Sequence, residues 1–130
     1  QVGIEFVITV GFALLILIPL SVLLYEHTAK TYEDVNNNQA GLIVRKVVDN
    51  ANSVYYLGHP STVTLKVYMP EDIEVVNITG REITFRLDNG GDVVGIANVN
   101  LTGSLSAESG LKYIKIAAME NYVNITEDVE

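Results

Sequence analysis

The sequence predicts an α+β protein: one long N-terminal helix, first apolar and then amphipathic, followed by a small antiparallel β-sandwich or barrel. Three patterns predict these parts in turn: an uncharged run over residues 6–25, apolar residues spaced by three and four over 35–55, and period-two alternation after Pro60. We expect the helix over residues 1–58 and a β-rich head over residues 59–130, within a chain of 130 residues. The apolar and amphipathic parts of the helix are expected at residues 1–25 and 26–58.

The uncharged run over residues 6–25 would be about 30 Å long as a helix, which matches the hydrocarbon core of a bilayer. No initiator methionine and no cationic stretch precede it, so a retained helix is expected rather than a cleavable secretory signal. Pro19 lies inside the run and has no backbone N–H. We therefore expect a kink or local melting between Phe12 and Pro19.

The polar sequence after the apolar run still has a helical period. An apolar stripe is expected to pack on the head, and its members are Val35, Ala40, Ile43, Val44, Val47, Val48, Ala51, Val54 and Tyr55. Asn36, Asn37 and Asn38 are poor helix formers in sequence, so a bend or a loosened turn is expected there. Gly58 followed by Pro60 predicts the end of the helix.

After Pro60, five or six short strands are expected, because apolar and polar side chains alternate between turn signals. The Asn89-Gly90-Gly91 sequence predicts a hairpin, and residues 102–110 are expected to form a loop. The expected strands cover residues 62–69, 73–78, 82–87, 93–101 and 111–118, with a short last one over 122–125.

Composition and charge exclude several classes of function. The chain has no cysteine and a net charge of −8, so disulfides, thiolate metal sites and nucleic-acid binding are not expected. Eleven of the 16 acidic residues but only five of the 8 basic residues follow Gly58, so that part carries −6 of the charge. No serine has a G-x-S-x-G context, and His27 and His59 lack carboxylates at metal-ligand spacing. We expect no enzyme activity, no metal and no cofactor.

Glu5 is the one charged side chain among residues 1–25. An ionised carboxylate inside hydrocarbon is costly, so Glu5 must face water or meet a positive partner. The nearest candidate is an α-amino group at Gln1, which lies about one helical turn away. The pair could form within one chain or between neighbouring chains. If Gln1 is cyclised and has no amine, a hydrogen-bond donor would be needed instead.

The head contains three Asn-X-Thr sequons, which are candidate N-glycosylation sites if the head lies outside the cytoplasm. Chance occurrence is the alternative, because asparagine and threonine are common in this part of the chain. The three asparagines are Asn77, Asn100 and Asn124.

The first twelve residues, QVGIEFVITVGF, together with the apolar helix and the β-rich head, resemble a mature archaeal type IV pilin of the class III signal peptide family. The resemblance is carried by Gln1, Glu5, Phe6 and the apolar helix, and Gly3 departs from the serine common in one group of the family. It implies cleavage ahead of Gln1 by a prepilin peptidase, membrane residence before assembly, and polymerisation by the pilus machinery. It also implies an assembly role for Gln1, Glu5, Phe6 and Pro19.

The function expected from this resemblance is a structural subunit of an extracellular surface filament used for adhesion. Alternatives are a minor pilin-like or archaellin-like subunit, and a bitopic membrane protein with an extracellular β-rich binding domain. In a filament, Glu5 is expected to meet the Gln1 amine of an adjacent subunit.

Overall fold

The computed structural model of the chain describes residues 1–128, apart from the side chains of Ala29, Tyr32 and Glu33. One helix, α1, spans Val2–Leu57, and seven strands follow it. They are β1 (Thr62–Met69), β2 (Ile73–Thr79), β3 (Glu82–Leu87), β4 (Asp92–Ile96), β5 (Asn100–Gly103), β6 (Gly110–Ala118) and β7 (Tyr122–Asp128). The chain divides into two compact units, Gln1–Val35 and Asn36–Glu130, so the second unit includes the last part of α1 with the strands.

Pro19 does not interrupt α1, so the expectation of local melting between Phe12 and Pro19 is wrong. A proline removes one hydrogen bond, here to the carbonyl of Leu15, and the turns on both sides remain helical. The loosened turn expected at Asn36–Asn38 is not present either, since these residues are helical. The Asn36 side chain is held by a tertiary contact, because its Nδ2 donates a hydrogen bond to Asp72 Oδ2, and tertiary contacts override weak helix propensity.

The helix ends where the sequence predicts. The Gly58 N–H donates to the Val54 carbonyl at 3.1 Å, and Gly58 has a φ of 89°. This left-handed conformation closes the last turn at little cost only for a residue without a Cβ.

The strands form two sheets, one with the order β1-β6-β7-β5 and one with the order β2-β3-β4. The neighbours are antiparallel except β5 and β7, which run parallel. The predicted α+β class, with a long helix and a small β head, is confirmed. The parallel pair makes the larger sheet mixed.

Three details of the strand prediction are wrong. The strand expected over residues 93–101 is two strands, because the chain leaves the three-stranded sheet after Ile96 and joins the other sheet at Asn100. The loop expected over 102–110 is shorter, since β5 continues to Gly103 and β6 begins at Gly110. The last strand is longer than expected and reaches Asp128.

The core of the second unit combines the stripe of α1 with the inner faces of both sheets. Seven of the nine predicted stripe residues are buried, and the exceptions are Val35 and Tyr55 at the two ends. The three-stranded sheet contributes the fully buried Ile83 and Phe85, and the four-stranded sheet contributes Ile114 and Ile116. The amphipathic part of α1 therefore completes a core that these short sheets could not close alone.

Candidate functional site

The first unit exposes an apolar surface. Within Val2–Thr28, 27 residues with a mean hydropathy of 2.8, no residue is buried. The large apolar side chains there are 41–82% exposed. Monomeric soluble proteins rarely expose a continuous apolar surface of this size. This helix is long and apolar enough to cross a membrane, so it is compatible with membrane embedding.

The serine and threonine side chains of this helix are satisfied by its own backbone. The hydroxyls of Thr9, Ser21 and Thr28 each donate to the carbonyl four residues earlier, at 2.8 Å in each case. Because such bonds satisfy the hydroxyl locally, these residues can enter apolar surroundings without a further partner. Over residues 2–24, the polar side chain that remains without such a bond is that of Glu5.

Glu5 lies in the first turn of α1, where the partial positive charge of the helix terminus favours a carboxylate. Its N–H donates to the Gln1 carbonyl at 3.2 Å. The ion pairs that the described residues form are Arg86–Asp92 and Lys112–Glu127, so the carboxylate of Glu5 is not paired with the Gln1 amine in a single chain. In the single chain Glu5 is exposed, so an ionic partner for it would come from outside the chain.

The other two predicted assembly residues lie on the same exposed helix. Phe6 is 69% exposed and follows Glu5 directly, and Pro19 lies within the apolar run about four turns later. The structure therefore places Gln1, Glu5 and Phe6 together at the amino end of the apolar surface and Pro19 apart from them.

The three sequon asparagines occupy different positions in the sheets. Asn77 is exposed on β2, at an edge of the three-stranded sheet. Asn100 is exposed on β5, at an edge of the four-stranded sheet. Asn124 is half-buried on β7, between β6 and β5, and its Oδ1 accepts a hydrogen bond from Thr102 Oγ1 at 3.4 Å. Asn77 and Asn100 are thus the accessible sites.

An ion pair that sequence analysis missed joins the 104–109 loop to the larger sheet. The Lys112 Nζ donates to Glu127 Oε1 at 2.9 Å and to the Ser106 carbonyl at 3.0 Å. The N–H and Oγ of Ser106 donate to the same carboxylate oxygen at 2.7 and 2.8 Å. The Lys112 side chain is only 9% exposed. Its period-two parity with the buried Ile114 and Ile116 was a signal for an inward-facing cation that needs an anion.

The pKa of Glu127 reflects these contacts. Burial raises the pKa, but the hydrogen bonds from Lys112 and Ser106 outweigh burial and hold it below its usual value of 4.5. Because the folded-state pKa is lowered, the carboxylate stabilises the fold above pH 4.5, and this stability is lost as the pH falls through the lowered folded-state value.

We therefore expect Glu127→Gln to reduce the free energy of unfolding by about 1–3 kcal/mol at pH 7, because a nearly buried ammonium loses its anion. Below the lowered pKa the difference from the unchanged chain should shrink, since both side chains are then neutral. Denaturant melts at pH 7 and at a pH below the folded-state pKa of Glu127, reached by lowering the pH stepwise, measure it. Asp92→Asn is the control, because the Arg86–Asp92 pair is exposed and should contribute less than about 1 kcal/mol at either pH. An equal loss at both pH values would contradict the assignment.

Within the described part of the chain, no group of three or more histidine or acidic side chains is arranged to hold a metal ion. Asp92, beside the Asn89–Gly91 turn, pairs with Arg86 at 3.5 Å. Compared with known proteins, the chain matches no family model, no curated protein and no solved structure.

Proposed function

We propose that this chain is a structural subunit of an archaeal type IV pilus, which polymerises through its apolar N-terminal helix into a surface filament used for adhesion. The observation that carries the proposal is the helix Val2–Thr28, whose apolar residues are all exposed in the single chain. Such a surface needs an apolar environment. A bilayer supplies it before assembly, and the same helix of neighbouring subunits supplies it afterwards.

Most polar groups of the helix are satisfied within it, so the helix can lie in lipid and later in a bundle of helices. The backbone is helical throughout, and the hydroxyls of Thr9, Ser21 and Thr28 are bonded to it. Without water, backbone groups must be satisfied internally, and a helix does this apart from the Leu15 carbonyl, which receives no hydrogen bond from Pro19. Over residues 2–24, Glu5 is the side chain that still requires a partner.

Glu5 provides a directional contact between subunits. With the processing that the resemblance implies, Gln1 carries an α-amino group in each subunit. A carboxylate and an amine that would each be costly to bury alone compensate one another when Glu5 meets the Gln1 amine of the next subunit. This contact uses different groups on its two sides, and when it is repeated from subunit to subunit without closing into a ring it gives an open helical polymer.

The charge and the sequons of the head favour a position on the outside of such a filament. Its part of the sequence carries −6 of the net charge, and two sequon asparagines are exposed. Like charges on the heads keep filaments apart and soluble. The apolar helix would lie inside and the charged head would face water.

Abundance in surface fibres tests this proposal against its alternatives. Fibres sheared from cells that make the chain should contain it as their main protein by mass spectrometry, with a first peptide beginning at Gln1. A trace amount would indicate a minor pilin-like subunit. A chain that stays entirely in the membrane fraction would indicate a bitopic membrane protein, and the proposal would be wrong.

Thiol labelling tests the position of the helix, because the chain has no cysteine of its own. In fibres freed of lipid, Leu15→Cys should resist a water-soluble maleimide, because neighbouring helices cover Leu15, which is 71% exposed in the single chain. Thr64→Cys is the control, since Thr64 is exposed on β1, and it should react readily. Equal labelling of the two cysteines would exclude a buried helix.

A further inference from the structure

Asn100 and Tyr122 lie side by side on the four-stranded sheet. They are register partners in the parallel pair of β5 and β7. Register partners on neighbouring strands present their side chains to the same face of a sheet. Both face solvent: Asn100 is exposed, and Tyr122 is 41% exposed. The residues that follow them, Leu101 and Val123, are buried on the opposite face.

The other two sequons do not have this arrangement. Asn77 is opposite Thr84, which in turn is opposite Val94, so the face around Asn77 offers no aromatic ring in register. Asn124 is two residues from Tyr122, but it lies on a central strand and is half-buried. Its side-chain oxygen also accepts the hydrogen bond from Thr102. Asn100 alone combines an exposed amide, an edge strand and an adjacent exposed ring.

We propose that Asn100 is the principal N-glycosylation site of this chain, and that the ring of Tyr122 is the surface on which the attached sugar packs. The proposal rests on the extracytoplasmic head of the proposed function. The donor is an oligosaccharide linked to a lipid phosphate. The Asn100 amide nitrogen forms a bond to the anomeric carbon, the bond from that carbon to the phosphate oxygen breaks, and the lipid phosphate leaves. The amide loses one proton to solvent, and no oxidant or reductant is required.

The packing has a simple physical basis. One face of a pyranose consists largely of C–H groups, and an aromatic ring offers a flat apolar surface of similar size. Contact between them removes both surfaces from water. The exposed half of Tyr122 is then covered in the modified protein, which stabilises the folded head because the contact requires β5 and β7 to be paired.

Site occupancy is the first test. The full chain is produced in cells that glycosylate exported proteins, with one flexible sequon appended after Glu130 as a positive control. Peptide mass spectrometry should find the highest occupancy at Asn100, lower occupancy at Asn77 and the lowest at Asn124. An unmodified Asn100 beside an occupied appended sequon would overturn the proposal. Occupancy higher at Asn77 or Asn124 than at Asn100 would also overturn it.

Thermal melting of the full chain in detergent tests the role of Tyr122. The glycosylated form should melt about 2–6 °C above Asn100→Gln, the shift expected for a modest contact in a small domain. Tyr122→Leu should remove this gap, because leucine is apolar but has no flat ring, and Tyr122→Phe should keep it. The matched control is Tyr68→Leu, an exposed tyrosine on β1 at the far edge of the sheet, which should leave the gap unchanged. A gap that survives Tyr122→Leu would refute the packing.

The two proposals fail separately. Asn100→Gln should still assemble into fibres, because assembly depends on the helix. If the chain forms no fibres but Asn100 is occupied, the proposed function is wrong and the glycosylation site stands. If fibres form from chains with an unmodified Asn100, the glycosylation proposal is wrong and the proposed function stands.

Discussion

Replacing Glu5 with glutamine should abolish filament formation without unfolding the head. The substitution keeps the size of the side chain and removes its charge, so the amine of the neighbouring subunit remains buried without a partner. Breaking a buried pair in this way costs roughly 3–5 kcal/mol, which lowers the equilibrium constant for adding one subunit by more than about 100-fold. Electron microscopy of the cell surface and the amount of sheared protein measure the effect.

The matched control for this substitution is Glu26→Gln. Glu26 is also on α1 and exposed, but it follows the apolar run, so it needs no buried partner and its loss should leave the number of fibres unchanged. Both variants should accumulate in the membrane at the level of the unchanged chain. Normal fibres from the Glu5 variant would disprove the charge pair.

Replacing Gly103 with alanine should destabilise the head more than any other small substitution considered for this chain. A Cβ on Gly103 would lie 1.8 Å from the backbone oxygen of Ile125, and Gly103 has a φ of 117°. The collision is with backbone of the paired strand β7, so no side-chain rotation can relieve it. We expect a loss of roughly 3–5 kcal/mol in the free energy of unfolding, a large part of the stability of a small domain.

Gly110→Ala separates the collision from the backbone strain. Gly110 has nearly the same φ, 116°, but a Cβ there would meet nothing within 4 Å. Its loss should be limited to the strain of a left-handed residue, about 1–3 kcal/mol. Denaturant melts of the two variants compare these costs directly, and similar losses for both would show that the contact with Ile125 relaxes.

The sequence predicts an element correctly wherever one side of that element is buried. The stripe on α1 was identified because Ala40, Val44, Val47, Ala51 and Val54 recur with the helical period. The end of the helix followed from the chemistry of Gly58. The stripe and the end of the helix depend on local properties, which follow from the type and position of each residue.

The split of the predicted strand over residues 93–101 could not be seen in the same way. Ala97, Val99 and Leu101 continue the alternation of Val93 and are buried, because the chain keeps one side toward the common core as it passes from one sheet to the other. The period therefore continues through the change of sheet, and the change itself is visible only in the tertiary structure. The parallel pairing of β5 with β7 is equally invisible, since it joins segments about 20 residues apart.

Two features of the candidate sites also required the structure. The pair of Asn100 and Tyr122 depends on the register of β5 and β7, which no local pattern specifies. The continuity of α1 through Pro19 depends on the helical turns around it, which outweigh the loss of one hydrogen bond. Glu5, by contrast, was identified from the sequence alone, because a lone charge in an apolar run is visible without coordinates.

Electron cryomicroscopy of fibres purified from the cell surface tests the proposed assembly through the apolar helix. This assembly predicts a helical filament whose centre is a bundle of the helices Val2–Thr28, with Glu5 of one subunit beside Gln1 of another and the β heads outside. A filament built from contacts between the β heads, with the apolar helices outside its core, would contradict it.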